Sequence, residues 1–192
     1  MIGRAVMLAL LLASPLAAQV SADRDQGLAV WGDIFAVASH PRCTNCHVAA
    51  DAPPMWNGLG YGADVAHGMN IRAGDSRVGA ETAPCRTCHF TVKSANDTPH
   101  APPMINDAWR LPPPELAWLG KSSVDVCTQL RDPERNNSFA ADELSTHLET
   151  SPFVAWGFDP GAGRSTPPGS LADLVAALEI WVAAGTPCDG ID

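Results

Sequence analysis

Two five-residue stretches hold chemistry, Cys43-Thr44-Asn45-Cys46-His47 and Cys85-Arg86-Thr87-Cys88-His89. Between them they use four of the chain's six cysteines. In a C-x-x-C-H pentad each thiol adds across one vinyl group of a haem, giving two thioethers. Two intervening residues let both sulfurs reach the same porphyrin edge, and the histidine that follows lies under the iron as its proximal ligand. The pentads therefore predict two covalently bound haem c groups, one on Cys43 and Cys46 with His47, the other on Cys85 and Cys88 with His89. A four-cysteine zinc knuckle needs the same paired cysteines. The 38 residues between the pairs exceed the usual ribbon spacing, and zinc gives no reason for a histidine after each pair. A thioredoxin-like redox pair needs a βαβ pattern around it, which the sequence does not offer.

Each iron has a second axial position to fill. Outside the pentads lie His40, His67, His100 and His147, with Met55, Met69 and Met104 as thioether alternatives. His67 stands in DVAHGMNIRAG, where Gly68 would permit close approach of the backbone to a flat ligand; Met69 is its neighbour and rival. His100, in DTPHAPPM, follows the second pentad closely, and the prolines beside it would hold it or Met104 stiffly. His147 falls near the end of a predicted helix, a rigid mount but also a place where histidine simply complements the helix dipole. His67, His147 and His100 are thus candidate distal ligands, and Met69 and Met104 weaker ones. His40 abuts the first pentad and suits a propionate or backbone group better than an iron, while Met55 reads as packing. Arg42, Arg72, Arg86 and Arg110 lie near the haem-bearing stretches and are candidate propionate partners.

Such attachment belongs outside the cytoplasm, and the N-terminus agrees. Arg4 precedes an uncharged apolar run over 5–13, and small residues follow with cleavage expected after Ala18 or Ala22. That is the layout of a signal peptide, and the run is too short to span a bilayer comfortably. The mature chain is expected to be exported to the periplasm, with no membrane span. In that oxidising space the remaining even pair, Cys127 and Cys188, is expected to form a disulfide, with two buried free thiols as the alternative. A net charge of −9 argues against a nucleic-acid partner.

The elements that must position these residues read as helices and loops. Leu28, Trp31, Ile34, Phe35 and Ala38 make a helical stripe over 24–39, and Pro41 disfavours a helical His40. Residues 49–84 read as a long structured loop, rich in glycine and proline, of the kind that wraps a cofactor. In the C-terminal half, SSVDVCTQLRD predicts a helix with Ser123 as N-cap, and FAADELSTHLET predicts a second. FVAWGFDPGAGRSTPPG reads as a turn-rich connection. SLADLVAALEIWVAAG is the clearest helix, with a Ser170–Asp173 capping box at its start and Gly185 as its stop. No stretch alternates as a strand. The expectation is a mainly α, loop-rich, cytochrome c-like fold with little or no sheet. It divides into a signal peptide at 1–22, a haem-bearing region at 23–110 and a helical region at 111–192 packed on it.

The stretches SHPRCTNCHV, HGMNIRAG, PCRTCH, AWRLPPPE, CTQLRDPERN, LSTHLE, VAWGFDPGAGR and WVAAGTPC cover most of the mature chain. In them the sequence resembles a family of small exported bacterial di-haem cytochrome-like proteins, often labelled as subunits associated with isoquinoline 1-oxidoreductase. The resemblance favours His67 and His147 as distal ligands, since both fall inside matching stretches. The function expected is one-electron transfer between redox partner proteins in the periplasm. The alternative is a di-haem oxidoreductase in which one haem keeps an open or displaceable sixth site for a small substrate.

Overall fold

The computed structural model describes residues 15–60, 62–89, 110–161 and 163–191, the first eight of them by backbone alone. His100 and Met104 lie outside the described residues.

Six helices carry the fold: α1 (Pro15–Ala38), α2 (Pro41–Thr44), α3 (Ser123–Leu130), α4 (Glu143–Thr150), α5 (Pro152–Phe158) and α6 (Leu171–Ala183). Among the described residues the only pairing outside helices and turns is an isolated antiparallel bridge between Met55 and Ala66. The mainly helical expectation is met. No helix among the described residues is long and apolar enough to cross a membrane.

The stripe on α1 packs as its spacing predicts. Trp31, Ile34 and Ala38 are buried against Val126 and Cys127 of α3, Leu144 of α4, and Leu178 and Trp181 of α6. Trp181 is fully buried, its ring centroid 5.2 Å from that of Trp31. Each indole N–H finds a partner, as burial demands: Trp31 donates to Ser123 Oγ at 2.7 Å and Trp181 to the Pro187 carbonyl at 2.9 Å. Gly27 lets α1 and the end of α6 touch, because a Cβ there would come within 2.6 Å of both Ala184 and Pro187. Cys127 and Cys188 are bonded, tying α3 to the C-terminal tail across 61 residues.

The boundaries differ from the sequence expectation in three places. α1 begins at Pro15 instead of 24, because no proline interrupts the chain from 16 to 38; both expected cleavage points fall within its backbone. Ser122, not Ser123, caps α3: its hydroxyl accepts from Asp125 N–H while the Asp125 carboxylate accepts from Ser122 N–H. The stretch expected as a turn-rich connection opens with helix α5, started by Ser151 as N-cap and Pro152 in the first turn. The Ser170–Asp173 capping box forms as expected, and Gly185, at φ +81°, follows the last turn of α6.

A smaller apolar cluster lies apart from this core. Val48, Ala73 and Leu111 are buried there, with Met55, Cys46 and Cys85 packed against them. Met55 is thus packing, as its sequence context suggests.

Replacing both Cys127 and Cys188 with Ala is expected to lower unfolding stability by roughly 4 kcal/mol, the chain-entropy value for a loop of this length. Ser170→Ala is expected to cost about 1 kcal/mol through loss of the cap. Denaturant titration of each full-length variant measures both.

Candidate functional site

Both pentads fold into the same single helical turn. In the first, Cys46 and His47 N–H both point to the Cys43 carbonyl, at 3.1 and 3.0 Å; in the second, Cys88 and His89 repeat this on Cys85 at 3.2 and 2.9 Å. Residues i, i+3 and i+4 of a turn share one face, so each pair of cysteines and its histidine face the same way. The turns start differently. His40 caps α2, its Nδ1 accepting Arg42 N–H at 3.2 Å, so this histidine serves the backbone. Pro84 precedes the second turn with no side-chain cap.

All four cysteines are free thiols, in contrast to the bridged pair. Burial pushes the Cys43 thiol up to about 12 and that of Cys46 to about 11. Among the described residues no three His, Cys, Asp or Glu side chains gather closely enough to hold a metal ion. The four sulfurs therefore do not converge as a zinc knuckle requires.

Instead, three of them open onto a cleft. Cys46, Cys85 and Cys88 line it together with His89, His67 and Met69, around a cavity of about 250 Å³. The remaining walls are largely apolar, with Trp56, Ile71 and Leu111 among them. Met69 is 74 % exposed, so the cleft reaches solvent on its side.

His67 is carried into this cleft by a tight excursion of the long loop. Trp56 N–H donates to the Val65 carbonyl at 2.7 Å, His67 N–H to the Pro54 carbonyl at 2.8 Å, and Val65 N–H to Asn57 Oδ1 at 2.9 Å. The excursion is bound to the first pentad: Met55 N–H reaches the Asn45 carbonyl, and the Asn57 carbonyl accepts from Asn45 Nδ2 at 2.9 Å and Arg42 Nη2 at 2.6 Å. A Cβ on Gly68 would meet only Trp56, at an ordinary 3.6 Å. The left-handed turns fall on Met69 and Asn70, at φ +59° and +53°.

The ring of His67 sits 6.2 Å from that of His89, centroid to centroid. Two imidazoles bonded to one metal ion from opposite sides, with bonds of about 2 Å, place their centroids just over about 6 Å apart. His67 Nδ1 lies 2.9 Å from the Gly68 carbonyl, which only accepts, so Nδ1 carries the proton and Nε2 keeps its lone pair. The second pentad thus brings its two thiols and His89 together with a second histidine, His67, around one apolar cleft. These residues fit a covalently attached haem with two axial imidazoles.

His47 occupies different surroundings. It does not line the cleft. Its Nδ1 donates to the Leu116 carbonyl at 2.8 Å, again leaving Nε2 with its lone pair. Its ring stacks on Trp118 at 3.6 Å and 8°, and Trp118 is fixed in turn by its N–H to Gln129 Oε1 of α3 at 2.8 Å. Burial drives the His47 pKa down to about 4 despite that hydrogen bond, with Arg77 and His147 adding smaller repulsions. His147 is thus within electrostatic range of His47, on α4, its ring 4.6 Å from that of Phe139.

Sequence reasoning missed three residues. Arg77, only 4 % exposed, donates from all three guanidinium nitrogens to main-chain carbonyls: Pro112, Gly74 at 3.3 Å and Val48 at 2.8 Å. It joins the end of the first pentad to the loop before the second. Arg164 and Trp156 line the cleft, whereas of the four arginines expected near a propionate only Arg42 does. Nothing in residue spacing marks these three, since they come from separate loops and α5.

Comparison with family models, curated proteins and solved structures finds no match to this chain.

Arg77→Ala leaves three carbonyls without their charged donor and is expected to cost at least about 3 kcal/mol in unfolding stability. Arg77→Lys should recover only part, because a single ammonium lacks the planar fork. Denaturation midpoints of the two variants decide.

Proposed function

We propose that this chain is an exported di-haem c-type cytochrome that passes single electrons between periplasmic redox partners. The observation that carries this reading is the His67–His89 pair, set 6.2 Å apart across the cleft that holds the second pair of thiols. Cys85 and Cys88 would hold the second haem, His89 and His67 its two axial positions. Cys43 and Cys46 would hold the first, with His47 as proximal ligand and His147, on the neighbouring helix, as the candidate opposite it. Bound haem iron supplies a one-electron couple whose potential follows axial ligand, burial and nearby charge.

The chain's own residues do the tuning. The Gly68 and Leu116 carbonyls fix the tautomers of His67 and His47 and orient each Nε2 lone pair as a ligand. Trp118 and Gln129 prevent His47 from rotating. The apolar walls of the cleft keep water from one face, while the side at Met69 stays open to an electron donor or acceptor. His67 beside His89, and His147 within electrostatic range of His47, offer each iron a second imidazole, which favours a relay over substrate chemistry.

Two measurements test the reading. The purified exported protein should exceed its polypeptide mass by two haems and give a pyridine haemochrome of matching amount; a colourless product of polypeptide mass would overturn it. His67→Ala should leave that mass excess unchanged while turning one of the two haems high-spin and able to bind carbon monoxide. An unaltered low-spin spectrum would remove His67 as a ligand.

A further inference from the structure

The chain carries 21 acidic residues against 12 Lys and Arg, yet among the described residues no Asp or Glu lines the cleft, while two arginines do. Arg164 is 9 % exposed, with its guanidinium carbon 5.6 Å over the Trp156 ring. Its Nη1 is held by the Pro160 carbonyl at 2.8 Å. Arg42, whose Nη2 is held by the Asn57 carbonyl, stands close enough for the two cations to repel. Two guanidiniums on one partly buried wall repel each other, and an anion bound between them relieves that cost. Three buried polar atoms of this cleft take no hydrogen bond among the described residues: Arg42 Nε, Trp156 Nε1 and Asn45 Oδ1. The first two are donors, and buried donors ordinarily have acceptors.

We propose that Arg42, Arg164 and the Trp156 indole N–H form a carboxylate-binding site in this cleft. On the reading given above, which this inference extends, the carboxylate is a propionate of the haem held by Cys85 and Cys88. A guanidinium binds a carboxylate through two parallel N–H bonds, and an indole N–H adds a third donor. The negative charge so neutralised is the one a buried propionate would otherwise impose on the iron.

The test uses the full exported protein and the variants Arg164→Gln, Arg164→Lys and Trp156→Phe. With two haems retained, Arg164→Gln should shift the reduction equilibrium of one haem about tenfold toward the oxidised form, about 59 mV for a one-electron couple. Arg164→Lys should keep most of the original potential, and Trp156→Phe, which deletes one N–H and little else, should give a smaller shift of the same sign. Sodium propionate is then titrated into wild type and variants, followed by tryptophan fluorescence. No response in wild type, together with the potential shifts, assigns the site to the haem's own carboxylate. A saturable response in wild type that vanishes in Arg164→Gln and weakens in Trp156→Phe assigns it to a free carboxylate. Either result supports a carboxylate site. If wild type holds no haem, the proposed function fails, and the titration alone still decides this inference. Unshifted potentials with no propionate response, or a response identical in all variants, would overturn it.

Discussion

The Asn57 carbonyl joins the two halves of the site. It takes a charged donor from Arg42 and a neutral one from Asn45, both belonging to the first pentad's turn, while the Asn57 side chain holds Val65. Charge-assisted bonds in buried surroundings are the stronger kind. His67 therefore cannot shift relative to Cys46 without breaking buried bonds. A histidine on a long loop would normally be a poor positional element, since loops are the mobile part of a fold. Here the loop is strapped to a helical turn, and the turn to the main core through α1.

Arg77 does for the other side of the cleft what Asn57 does for the first. Its three donors gather Val48, Gly74 and Pro112, three segments distant in sequence. A buried cation with only carbonyl partners is costly unless every donor is used. The cost favours this arrangement, because moving the loop would break all three bonds of the guanidinium. Together the two junctions allow a region with almost no regular secondary structure to hold His67 and His89 with ring centroids 6.2 Å apart.

The helical half was legible because its signals are periodic and local. The stripe on α1, the capping box of α6 and the stop at Gly185 follow from spacing alone. Ser122 was missed for Ser123 because two adjacent serines give the same local pattern, and only the reciprocal bond with Asp125 distinguishes them. α5 was hidden by the glycine- and proline-rich stretch that follows it. The pentads stood out through residue type and spacing, and His67 could be named as one candidate among several. Its pairing with His89 could not, because it depends on the Asn57 and Asn45 junctions across the fold. The left-handed backbone at Met69 and Asn70 was not signalled by residue type. Arg77, Arg164 and Trp156 carry no pattern at all; tertiary packing alone brings them in.

Two kinds of cysteine share this chain, and the depth of the first pentad keeps them from interfering. Sulfur exchange proceeds through the deprotonated form of the attacking thiol. Burial holds the Cys46 thiol up at about 11, so before any haem is attached it stays protonated at pH 7. Cys43, higher still, is slower. Neither can readily scramble the Cys127–Cys188 link or oxidise with its neighbour. Cys85 is less deeply placed and Cys88 is exposed, so premature oxidation in an oxidising compartment would begin at the second pair.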